Sequence, residues 1–176
     1  MAEQTIGVAP AGVALASDGD YADVARAFIQ SAVHYCHCLL FIVDTDPADD
    51  DKLLVDGLLH ELAALAWRGT DTKLLIGGSR DNTRIRDACL ASRARALELG
   101  VPARLVAATS QRSVHSKILV SDTRCLLGSH NWSPGALGGQ RQDSVLVDNA
   151  ELAAYFASRF TERWATGKED GFDVLD

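Results

Sequence analysis

His115-Ser116-Lys117-Ile118-Leu119-Val120-Ser121-Asp122 is followed, after five residues, by Gly128-Ser129-His130-Asn131. The spacing is H-x-K-x4-D, then G-S-x-N. Residues 114–120 read as a strand, 121–124 as a turn and 125–127 as a second strand. Side chains alternate along a strand, so His115 and Lys117 leave the same face about 7 Å apart at their α-carbons. One phosphate can touch both. Histidine offers a nucleophilic nitrogen near neutral pH, and lysine a fixed positive charge. These residue types suit phosphoryl transfer through a histidine.

Working outward, residues 13–16 read as a first strand. Asp20 then suits the cap of a helix with Val24, Phe28, Ala32 and Val33 at helical spacing. Residues 39–43 form an apolar run expected to be a buried strand, and 44–51 an acidic loop that opens a helix. Leu54, Leu58, Leu62 and Leu65 mark one face of that helix, which stops near Gly69. A strand is expected at 73–76, ended by Gly77-Gly78. The next helix, 84–99, has Ile85, Cys89, Ala94 and Leu97 expected inward and stops at Gly100. Short strands follow at 103–106 and 144–147, with a short helix at 132–137 between the motif and the last strand. Asn149 suits the cap of a final helix with Leu152, Phe156, Phe160 and Trp164 at four-residue steps. Strands and helices alternate, which implies an α/β fold: a mixed, largely parallel sheet with helices on both faces.

The length of 176 residues fits one domain over 1–176, with 167–176 as an acidic tail. No apolar run approaches the roughly 18 to 20 residues of a membrane span. Residues 1–16 lack the features of a signal peptide, so a cytoplasmic protein is expected. The four cysteines are scattered, which suits buried thiols in a reducing compartment. The net charge of −7 is uneven. Residues 1–78 hold 4 basic and 12 acidic side chains, for −8; residues 79–124 hold 9 and 4, for +5; residues 125–176 hold 4 and 8, for −4. A phosphate-bearing substrate is attracted near the motif and repelled elsewhere. That argues against tight binding along a long duplex, which needs many phosphate contacts. It suits a narrow groove, or a regulatory or substrate-delivering protein partner.

The motif resembles that of the phospholipase D superfamily, the HKD phosphodiesterases, and within it the small bacterial endonucleases with one motif per chain. His115, Lys117 and Asp122 fall on the named motif, and Gly128, Ser129 and Asn131 on its second half. The family usually continues with N-x-E; here Arg141-Gln142-Asp143 keeps the carboxylate but places arginine where asparagine is usual. The resemblance implies two in-line displacements at phosphorus, with one histidine attacking and a second protonating the leaving oxygen. Only His115 of the five histidines has a lysine two residues on, so the second histidine is expected from another copy of the chain. A two-fold homodimer supplies it. On this reading Lys117, Ser129 and Asn131 hold the equatorial phosphate oxygens, and Asp143 orients the His115 ring. His115, Lys117, Asn131 and Asp143 form the catalytic set. Asp122 and Gly128 serve structure. No cofactor or metal is expected, because lysine and imidazolium supply the positive charge.

Other assignments carry less. Ser129 and Asn131 also suit a turn, and His130 between them points away from their face. His34, Cys36, His37 and Cys38 lack the second ligand pair of a metal site. The acidic loop lacks the glycine and closing glutamate of a calcium loop. The expected activity is therefore a metal-independent phosphodiesterase, an endonuclease acting on DNA or RNA through a phosphohistidine. The alternatives are a lipid phosphodiesterase and a silent subunit that binds nucleic acid or a partner. Against lipid stands the lack of a Lys-rich amphipathic segment with exposed aromatics, so no membrane partner is expected.

Overall fold

A computed structural model describes residues 12–79, 81–106 and 114–168. Eight strands form one sheet: β1 (Gly12–Ser17), β2 (Tyr35–Leu40), β3 (Asp71–Ile76), β4 (Ala103–Val106), β5 (Lys117–Ser121), β6 (Arg124–Gly128), β7 (Asp143–Asp148) and β8 (Gly167–Lys168). Their spatial order is β1-β7-β6-β5-β2-β3-β4-β8. Among the described residues the α-helices are α1 (Asp20–Ser31), α2 (Leu53–Trp67), α3 (Thr83–Glu98) and α4 (Ala150–Thr166).

The mixed α/β sheet flanked by helices is present, but its parallel part is small. Only β2–β3 and β3–β4 pair in parallel. The other five ladders are antiparallel. The reason is local. The Asp122-Thr123 turn between β5 and β6 is far too short for a crossover, so those strands must run antiparallel. The expected tail at 167–176 begins in the sheet, since Gly167 and Lys168 pair with Val106 and Leu105. Residues 169–176 lie outside the described residues.

Alternation along the strands sorts the core. Cys36, Cys38, Leu40, Leu74, Ile76, Leu105, Leu119 and Leu126 face one side, where α1, α2 and α3 bury Phe28, Leu58, Leu62 and Cys89 against them. Leu39, Leu75 and Val106 face the other, under Phe160 of α4. Val120, Cys125 and Val147 share that side with Ala153. Helices therefore cover both faces, three against one. Asn149 caps α4 by accepting from the Leu152 N–H at 2.8 Å. The 132–137 segment is not the expected helix. Trp132 makes an isolated bridge to Val43, and the chain then takes a π-type turn at Gly135–Gly139.

Candidate active site at one edge of the sheet

The register brings the motif residues other than Asp122 to a single edge. Leu40 at the end of β2 pairs with Ile76 and with Lys117 at the start of β5. Next in line, Gly128 at the end of β6 pairs with Ser144, and Ser17 at the end of β1 with Asp143 at the start of β7. His115 lies two residues ahead of β5 rather than on it, so the expected strand is shorter at this end. Lys117 bridges the gap. Its Nζ donates to the His115 carbonyl at 2.9 Å and to ring Nδ1 at 2.8 Å. An ammonium can only donate, so Nδ1 accepts and the ring is neutral. Lys117 is buried, and that burial lowers its pKa. His115 is exposed as a residue, but its ring lies against Phe41 with centroids 4.4 Å apart. Partial burial, then the Lys117 charge, hold the ring below its ordinary pKa.

Gly77 explains how this strandless segment is placed. A Cβ there would overlap the Val114 carbonyl and sit 3.3 Å from the Phe41 α-carbon. Without it, the residue before His115 passes directly over the end of β3. Gly128 is equally tight: a Cβ would strike the Ser144 hydroxyl and come within 2.5 Å of the Asp143 carbonyl. The strand end therefore closes on β7, and the Ser129 N–H reaches that carbonyl at 3.0 Å. The Ser129 hydroxyl lies 3.2 Å from both the amide N and the carbonyl of Asp143. Asn131 Oδ1 accepts from the Ile42 N–H at 3.1 Å, leaving its NH2 group as a donor.

The Asp143 carboxylate accepts from the Ser17 hydroxyl at 2.7 Å. Within one chain it makes no hydrogen bond to the His115 ring, whose partner is Lys117. Ser17 gave no signal in the sequence, because nothing there shows that β1 pairs with β7. His130 points inward, buried and stacked on Tyr21 at 4.2 Å. Its Nε2 donates to the Asp18 carbonyl at 3.2 Å, so Nδ1 accepts from the Ser144 hydroxyl at 2.8 Å. It braces β7 behind Asp143. Arg141 is exposed.

Asp122 lies at the opposite end of β5, about 17 Å from Lys117 for five strand residues, and does not meet the site. Its carboxylate accepts from the Val33 and His34 N–H groups at 2.8 and 3.1 Å and bonds the His34 ring at 2.9 Å. Cys36 and Cys38 face the three-helix side while His37 stacks on Phe160 of α4. Strand alternation thus separates those three as ligands. Beside the motif, a cleft of about 490 Å³ opens between Ile42, Arg84 and Ser133. It is tied to the site through Ile42 and Asn131.

Residues 26–164 match a family model described as cardiolipin synthase, PLD-like domain. A search of curated proteins gave no match. Among solved structures, the chain is similar to Nuc from Salmonella typhimurium, a phospholipase D family member, with 22% identity and a TM-score of 0.73, covering 90% of this chain and 97% of that one. NucT from Helicobacter pylori gives 14% identity and a TM-score of 0.67, covering 90% and 98%. Phosphatidylserine synthase from Haemophilus influenzae gives 12% identity and a TM-score of 0.60, covering 92% of this chain but 41% of that one. The family match runs from within α1 to the last turn of α4 and takes in His115, Lys117, Asn131 and Asp143: the chain belongs to the phospholipase D-like family.

Proposed function

We propose that the protein is a metal-independent phosphodiesterase, most simply an endonuclease on DNA or RNA, working as a homodimer with one composite active site. The observation that carries this is the neutral His115 ring bonded to the buried Lys117 ammonium at an exposed sheet edge. A phosphate entering there takes over the lysine donors and frees the ring to attack phosphorus. The N–P bond forms as the ester oxygen leaves, and the second His115, protonated, gives that oxygen its proton. The same histidine then takes a proton from water, which breaks the phosphohistidine in the second step. Lys117, the Asn131 NH2 group and Ser129 meet the equatorial oxygens, where charge builds up. Asp143, held by Ser17, orients the His115 ring in the assembled dimer.

One feature supports nucleic acid as substrate: charge is positive in the stretch leading into the motif. The description of the family model supports a second reading, a lipid phosphodiesterase. Among the described residues, no helix is long and apolar enough to cross a membrane. The deciding experiment is a cleavage panel in excess chelator over single- and double-stranded DNA and RNA, with choline lipids alongside and sizing of the protein. Nucleic-acid cleavage that survives chelator and vanishes in His115→Ala is expected. Cleavage of lipid alone reverses the order of the two readings.

A further inference from the structure

Phe41 belongs to no motif, yet it touches both reacting side chains. Its ring centroid lies 4.4 Å from that of His115, tilted by 42°, and 5.1 Å from the Lys117 Nζ. Its backbone is fixed from several directions. The preceding residue, Leu40, pairs with Lys117; the Phe41 carbonyl accepts the Gly78 N–H at 2.6 Å; and the missing Cβ of Gly77 leaves room for the Phe41 α-carbon beside Val114. The next residue, Ile42, donates its N–H to Asn131. The stretch 41–42 therefore contacts nucleophile, cation and amide together. From this arrangement we infer that Phe41 is a positioning residue, an aromatic platform that sets the His115 ring and the Lys117 ammonium in register for one phosphate.

The physics favours an aromatic ring over an equally apolar aliphatic group. The face of a benzene ring attracts an ammonium, while its edge and face give an imidazole a preferred tilt. His115 has no strand ladder of its own to fix its backbone, so this contact replaces the rigidity that β5 gives to Lys117. An aliphatic side chain fills the space but leaves both groups free to drift, and misplacement of about 1 Å costs on the order of 100-fold in rate.

The inference rests on the phosphodiesterase reading, and its test separates the two. Bis(p-nitrophenyl) phosphate, which lacks base and lipid, is the probe, with Phe41→Leu and Phe41→Tyr compared at equal thermal stability against wild type. The expectation for Phe41→Leu is a fall in kcat of about 10- to 100-fold with KM within about threefold, and for Phe41→Tyr a kcat within about threefold of wild type. The platform is overturned if Phe41→Leu matches wild type, or if Phe41→Tyr is as impaired as Phe41→Leu, since then packing volume alone matters. Wild-type protein inert on this diester and on nucleic acids and lipids defeats the phosphodiesterase reading itself, and the platform with it. A Phe41→Ala variant adds an independent readout. Water admitted to the ring face moves the acid limb of kcat/KM to higher pH, whereas a purely structural loss leaves the limb in place.

Discussion

At the scale of single residues, the proposed chemistry turns on keeping one imidazole neutral beside one ammonium. Burial against Phe41 and the Lys117 charge act in the same direction, holding the His115 ring below the ordinary 6.5. A ring with a lowered pKa stays unprotonated, and so nucleophilic, further into acid. In an NMR titration His115 should therefore titrate below pH 6.5, and Lys117→Met should move it upward by removing the like charge. A His115 that titrates above 6.5 in the wild-type chain contradicts the geometry. The motif residues were legible in the sequence because their spacing is local. Ser17, Phe41 and the tightness at Gly77 were not, since each acts through a contact made only when distant strands align. Gly77-Gly78 reads simply as the end of a strand, and Ser17 lies 126 residues from the carboxylate that it holds.

Among the elements, the long helices and most strands follow from periodicity, and the departures have physical causes. In α3 the buried stripe is Cys89, Ser92 and Ala96, not Ala94 and Leu97. Ser92 takes a core position because its hydroxyl donates to the Val43 carbonyl at 2.9 Å and accepts from the Thr45 N–H at 2.9 Å. A buried serine with both roles filled is invisible to a hydrophobic pattern. The Asp122 turn shows the same principle at the far end of β5. Burial alone would raise its carboxyl, but the donors from Val33 and His34 outweigh that and hold its pKa below the ordinary 3.8. The His34 side chain is 83% exposed, so its ion pair contributes little and the two backbone N–H groups dominate. Asp122→Ala should cost about 1 kcal/mol in denaturant unfolding at neutral pH, because it removes two charge-assisted bonds from exposed N–H groups that water then solvates. The carboxyl's contribution is present above its unfolded pKa and is lost as pH falls through the folded one. The gap between wild type and variant should accordingly close in acid. Chelator-resistant activity of the folded Asp122→Ala fraction should persist, since the turn lies at the end of β5 away from His115.

For the molecule as a whole, one sheet edge gathers residues from most of the chain length, from Ser17 to Asp143, yet it offers a single His115. The five histidines fall into separate environments. His34 pairs with Asp122, His37 with Asp71 and His60 with Asp56, while His130 is locked between Asp18 and Ser144. None of these four stands ready as the acid opposite His115, which is why the proposed mechanism calls for a second copy. That requirement has a quantitative signature. Wild-type and His115→Ala chains are unfolded together, mixed in equal amounts and refolded, so that subunits pair at random. If both imidazoles are needed, only wild-type pairs react, and activity per total protein falls to about one quarter; if each chain works alone, it falls to about one half. Across a range of mixing ratios the first case follows the square of the wild-type fraction and the second a straight line. The composite site requires the square, and a linear response would place the whole of the chemistry within one chain.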